Sequence, residues 1–206
     1  MIRSILKAVL PRPFVQLLRD LGRLESGARL TYLRLAFLRR LGVVRFHTTP
    51  SGPTMTIVAI CHGNILRSAY AGALLSRPDV VARLPGLRVS SAGVHALPGK
   101  LADPRGVKVA REHGVDLSGH RATQLGAKIV EAADLLVVMD YLNEAEVVSR
   151  FPKAAGKVTL LGGFDPGRPG NPAVPDPFNG DLDAVRMSFA CVATAVDGLV
   201  ATLSPV

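Results

Sequence analysis

The chain has no tryptophan, three tyrosines and only two cysteines, Cys61 and Cys191, in 206 residues. Two cysteines in unlike contexts make no secreted disulfide framework, so a reducing, cytoplasmic setting is expected. No Cys/His spacing suggests zinc, no GxxxxGK[ST] loop occurs, and the five histidines form no pairs at ligand spacing. Neither a metal nor a cofactor is therefore expected. No apolar run approaches the roughly 18 residues of a membrane-spanning helix, which reads as a soluble chain. Acidic residues are scarce where arginines are dense: residues 1–54 hold ten Lys/Arg and two Asp/Glu, the remaining 152 hold fifteen and fourteen. Of the net charge of +9, the first segment carries +8 and the body +1, so no nucleic-acid partner is expected.

This length suits one domain with an appendage. The basic arm has three leucine-rich segments, 2–10, 14–24 and 28–42, separated by Pro11-Arg12-Pro13 and Glu25-Ser26-Gly27. In the third, Leu30, Leu33, Phe37 and Leu41 recur at helical spacing with Arg29, Arg34, Arg39 and Arg40 between them. Amphipathic helices are expected. They pack on their own domain or a partner protein, settle on an anionic membrane surface, or act as a targeting leader. Thr48–Thr54 is a linker by composition, and the body begins near Met55, which divides the chain into an extension, 1–54, and a domain, 55–206.

From there strand and helix signals alternate. Strands are expected at Thr56–Ile60, Leu87–Ser90, Asp134–Met139 and Lys157–Leu161, and helices at Ser68–Ser76, Pro104–His113, Ala127–Ala132, Asn143–Arg150 and Leu182–Leu203. Helices between apolar strands imply an α/β fold with a parallel sheet covered on both faces. Such sheets take ligands at the carboxyl ends of their strands, where strand order reverses.

The stretch Cys61-His62-Gly63-Asn64-Ile65-Leu66-Arg67-Ser68 follows the first strand and leads into a helix. A loop of five residues between Cys61 and Arg67 can curl its N–H groups inward above a helix N-terminus, which makes an anion cradle. Those dipoles and the Arg67 guanidinium favour an ionised sulfur, and the same groups bind a phosphoryl dianion against it. Displacement at phosphorus by Cys61 would give a cysteinyl-phosphate. The leaving oxygen needs a proton, and Val174-Pro175-Asp176-Pro177-Phe178 offers Asp176 as acid and then as base, with Phe178 lining the leaving-group slot.

These residues, together with SSAGVHA (90–96), DPRGVKVAREHGVDLSGHRATQL (103–125), DLLVVMD (134–140) and PDPF (175–178), resemble the low-molecular-weight protein tyrosine phosphatases over about residues 55–203. The resemblance implies a flavodoxin-like four-stranded parallel sheet with helices on both faces. It also implies metal-free hydrolysis of phosphotyrosine monoesters in proteins. On this chain it matches Cys61 to the nucleophile, Arg67 to the phosphate-binding arginine and Asp176 to the general acid. Residues His62 to Leu66 and Ser68 match the phosphate loop, and Asn64, Ser68, Ser91 and His120 a hydrogen-bond network that supports it. There are departures from the pattern. Leu66 stands where many members carry a second cysteine, Ala69 replaces a common proline and Phe178 a tyrosine, and the basic extension has no counterpart. Two other functions remain open: arsenate reduction coupled to a small-molecule thiol, and a phospho-ligand-binding module with little activity. Cys191, among apolar residues of the closing helix, reads as core.

Overall fold

Small and β-branched apolar residues fill Met55–Cys61, and this stretch forms β1, buried from Ile57 onward. The computed structural model describes residues 12–41, 55–168 and 170–204. The segment expected over 2–10 and the linker expected over 48–54 lie outside them. After α1 (Arg12–Arg23) and α2 (Ser26–Arg40) come β1, α3 (Arg67–Leu75), α4 (Pro78–Arg83), β2 (Leu87–Gly93), α5 (Pro104–Glu112) and α6 (Ala127–Ala132). Then follow β3 (Leu135–Val138), α7 (Tyr141–Arg150), β4 (Val158–Leu160) and α8 (Leu182–Leu203).

The four strands form one parallel sheet in the order β2-β1-β3-β4. The chain leaves β1 toward β2 on one side and returns to β3 on the other, so strand order reverses between β1 and β3. Side-chain alternation splits β1: Ile57, Ala59 and Cys61 join a core with Tyr70, Val109 and Phe189 of α3, α5 and α8. Val58 and Ile60 join the opposite core with Val130 of α6 and Val147 of α7. This is the doubly covered α/β sheet that the strand pattern implied.

Some element limits differ from the sequence reading. β2 runs on to Gly93 because its pairing with β1 continues to Cys61 opposite Gly93. α7 starts at Tyr141, earlier than expected, because the Asp140 carboxylate accepts the Asn143 N–H and caps it. The unexpected α4 has six residues with proline in its first turn, too short for a periodic signal. α8 is long and apolar enough to cross a membrane by length and composition, which corrects the expectation that nothing in the chain is. Charged Asp183, Arg186 and Asp197 interrupt its apolar run, while Val185, Phe189, Val192, Val196 and Leu199 are fully buried in the core.

α1 and α2 form a hairpin that docks on α7. Leu24, Ala28 and Tyr32 are buried with Ala145, flanked by Leu17, Leu21, Tyr141 and Leu142. The Tyr32 hydroxyl donates to Asp20 at 3.0 Å. Arg39 stacks over the Tyr141 ring, 4.3 Å from its centroid, and ion-pairs with Glu144. Arg150 reaches Glu25 at 3.3 Å. Small residues make this the docking face, since a Cβ at Gly27 would already lie 3.3 Å from Ser149 Oγ. The leucine stripe read from the sequence therefore points outward, with Leu30 74% and Phe37 62% exposed.

Candidate active site

Cys61 ends β1 at the point where strand order reverses, and its sulfur is the centre of a small polar cluster. The Asn64 N–H donates to Sγ at 3.3 Å, and Ser68 Oγ lies 3.0 Å from it. Such a turn is possible because Asn64 adopts φ 52, a left-handed conformation that a short polar side chain tolerates. The Asn64 side chain is fully used: Nδ2 donates to Ser68 Oγ and Ser91 Oγ, both at 2.9 Å, and Oδ1 accepts the Thr123 N–H at 2.8 Å. Its main-chain oxygen lies 2.7 Å from His120 Nε2. Ser68 Oγ has one proton, with the Ala92 carbonyl at 3.3 Å and the sulfur at 3.0 Å as alternative acceptors. An ionised sulfur would draw that proton.

Arg67 opens α3 with its side chain 2% exposed. Nη1 donates to Asp140 Oδ2 at 2.6 Å and to the Val174 carbonyl at 3.2 Å, and Nη2 lies 3.2 Å from Asp176 Oδ1. Burial works against this charge, but Asp140, Asp176 and Cys61 outweigh it and hold the guanidinium above its ordinary value. Asp140 was not among the expected site residues. It stands at the carboxyl end of β3, with Oδ1 capping α7 and Oδ2 on Arg67.

Asp176 reaches the site from the loop before α8. The Val174 N–H donates to the Met139 carbonyl at 2.8 Å, and Ser188 Oγ donates to the Pro175 carbonyl at 2.9 Å. On the far side Arg105 donates to the Phe178 carbonyl at 3.1 Å and to the Gly180 carbonyl, while Asp103 grips the same guanidinium at 2.7 Å. These bonds fix the loop at both ends.

The cavity above Cys61 has a volume of about 320 Å³. His62, Gly63, Ile65 and Leu66 line it together with Arg67, Asp176 and Phe178. Asn64 and Ser68 are fully buried behind the loop, and Ser91 and His120 approach from the same hidden side. His62 stacks near His95, with ring centroids 4.7 Å apart. Burial first, then His95, pushes its pKa below that of an ordinary histidine. Arg23 and Leu24 of the hairpin also line the cavity, and no signal near them in the sequence points there. Thr123 was missed as well; its contribution is a main-chain N–H, which carries no side-chain signature.

Residues 56–205 match the family model of the low molecular weight phosphotyrosine protein phosphatases. The chain belongs to this family. Among curated relatives of this phosphatase, the probable low molecular weight protein-tyrosine-phosphatase EpsP of Ralstonia nicotianae is 40% identical over 148 residues, 70% of this chain and 93% of the relative. Wzb of Escherichia coli K12 is 36% identical over 141 residues, covering 68% and 87%. Among solved structures, the tyrosine phosphatase amsI of Erwinia amylovora superimposes with TM-score 0.67 at 30% identity, covering 78% of this chain and all of that one. The YwlE arginine phosphatase of Geobacillus stearothermophilus gives 0.64 at 33% identity, covering 72% and 92%. The phosphatase therefore has structural neighbours that act on two kinds of phosphorylated side chain, and residues 1–55 lie outside the family match.

Proposed function

We propose that this phosphatase hydrolyses phosphotyrosine in proteins through a cysteinyl-phosphate, without metal. The observation that carries the reading is the Cys61 sulfur in a loop with the Asn64 N–H aimed at it, and Arg67 beside it shared with Asp176. The phosphoryl dianion takes the place of the Asp176 carboxylate on Arg67, held also by main-chain N–H groups of His62 to Leu66. Released from Arg67, Asp176 turns to the leaving oxygen, to which the general acid gives a proton. The sulfur attacks phosphorus, the P–O bond breaks, and that proton passes to the phenolic oxygen. Asp176 then takes a proton from water, which attacks phosphorus and breaks the P–S bond. Inorganic phosphate leaves and the thiolate returns, with the Ser68 hydroxyl supporting it.

Ile65, Leu66, Leu142 and Phe178 give the slot apolar walls, which suit a phenyl ring better than a guanidinium. The test is turnover of matched phosphotyrosine, phosphoserine and phosphoarginine peptides with a chelator present. Cys61→Ser is expected to abolish turnover, and Asp176→Asn to lower kcat by about 10²–10⁴, most for poor leaving groups. Faster release from phosphoarginine would overturn the substrate assignment. Cys61 and Cys191 are both free thiols, and Cys191 Sγ lies against Arg168 rather than in the cavity wall. Reduction of arsenate would thus draw on an external thiol. Thiol-dependent arsenite production outrunning phosphatase turnover would favour it, and tight phosphopeptide binding without turnover would favour a binding module.

We infer that residues 55–206 are the catalytic unit and that the extension brings it to an anionic membrane surface from the cytoplasmic side. Leu30, Leu33, Phe37 and Leu41 share the face of α2 that points away from α7, with Arg34 among them. The charge of +8 on residues 1–54 adds roughly 1 kcal/mol of attraction per basic residue near anionic lipid. Sedimentation with anionic vesicles is expected to pull the protein down at low salt. Phe37→Ser should weaken that binding several-fold, and binding equal to wild type would sink the inference.

A further inference from the structure

We propose that Arg23 reads a second anionic group on the substrate, a carboxylate on a residue beside the phosphotyrosine, so that the N-terminal hairpin sets peptide specificity at the catalytic cavity. The inference rests on the phosphotyrosine reading above. Arg23 is the last residue of α1, with its side chain 56% exposed at the rim of the cavity. Its neighbour Leu24 is 3% exposed and anchored on α7, and Glu25 is held by Arg150. The backbone that presents Arg23 is therefore fixed although the guanidinium is open to solvent.

Charge favours the same role. The other cation lining the cavity, Arg67, is buried and committed to Asp140, the Val174 carbonyl and Asp176. Arg23 touches Asp176 Oδ2 at 3.4 Å, a long contact that engages one of its five N–H donors. A single carboxylate thus spans the two guanidinium groups, one oxygen facing each. When phosphate displaces Asp176 from Arg67, Asp176 turns as the acid to the leaving oxygen and Arg23 is left facing the mouth. The acids nearby are taken: Glu146 by His95 and Arg150, both at 2.9 Å, and Glu25 by Arg150. A peptide that carries its own carboxylate beside the phosphotyrosine supplies the missing partner in the planar two-pronged form that arginine prefers.

The test measures kcat/KM of the full chain on two phosphotyrosine peptides that differ only in an adjacent Glu or Gln. Wild type is expected to prefer the Glu peptide by about fivefold, mainly through KM, the scale of a partly exposed ion pair. Arg23→Ala should erase the preference, Arg23→Lys should keep part of it, and Arg23→Glu should invert it. In wild type the preference should shrink as salt approaches ~1 M, where the screening length is about 3 Å. This readout requires no variant to fold. Equal rates on the two peptides in wild type, or a preference that survives Arg23→Glu, would overturn the role of Arg23 alone. Turnover of an aryl phosphate but of neither peptide would overturn both this inference and the phosphotyrosine reading.

Discussion

A methyl group at Gly93 would lie 2.6 Å from the His62 carbonyl oxygen and 2.8 Å from the Asn64 nitrogen. The strand end at Gly93 and the loop after Cys61 touch backbone to backbone, so Gly93→Ala must push the loop off its curl. We expect kcat/KM to fall by at least ~10-fold, because positioning of reacting groups tolerates little displacement. A near-normal thermal midpoint with lost aryl-phosphate turnover would show that the contact serves the site. At Asp103 the hydrogen bond from Arg105 lowers the carboxyl pKa below its usual 3.8. Its folded value being depressed, this carboxylate stabilises the fold above about pH 4 and ceases to do so as pH falls through the folded value. Asp103→Asn should therefore flatten the acid limb of a pH–stability curve below pH ~4 and cost up to about 1 kcal/mol at neutral pH through the lost charge pair with Arg105, the N-cap itself being kept by asparagine. An unchanged acid limb would refute the pairing. That Cys61, Arg67 and Asp176 belong to one candidate site was legible because their side-chain chemistry stands next to local breaks in the chain. The partners of Asn64, at separations of 27, 56 and 59 residues, are Ser91, His120 and Thr123, and only folding brings them together.

Among the elements, the hairpin is tied to α7 by a nearly buried charge pair as well as by its apolar contacts. Arg39 and Glu144 have side chains 11% and 9% exposed, and removal of one partner leaves the other buried without compensation. Glu144→Ala is therefore expected to release α1 and α2 from α7, at a cost of about 3 kcal/mol or whatever docking is worth if that is less. Limited proteolysis or hydrogen exchange would report it as new exposure over residues 12–41 with the sheet still protected; unchanged protection would refute the clamp. Helical periodicity located α2 because apolar residues recur on one face of it. The docking face carries no such signal, because Ala28, Tyr32 and Arg39 are a small residue, an amphipathic one and a charge. They become a docking surface only against the complementary Tyr141, Glu144 and Ala145.

At the scale of the molecule, α8 closes one core by lying directly on the turn after β4. A Cβ at Gly198 would fall 1.9 Å from the Phe164 carbonyl oxygen, so that helix and turn approach to the limit of contact. Gly198→Ala should cost at least ~2 kcal/mol through forced separation, a fall in Tm of roughly 4–8 °C at this chain length. A Tm within 1–2 °C of wild type would show that α8 slides freely instead. The alternation of buried strands with helices, the Cys61–Arg67 loop after β1 and the concentration of basic charge before Met55 were determined by the sequence alone, since each depends on residues close together along the chain. Tertiary structure alone decided that Asp140 holds Arg67, that the leucine stripe of α2 faces solvent, and that Arg23 stands at the rim of the cavity. Those outcomes depend on which surfaces match in shape and charge once the sheet has assembled, and no local pattern encodes the surface on the other side of the contact.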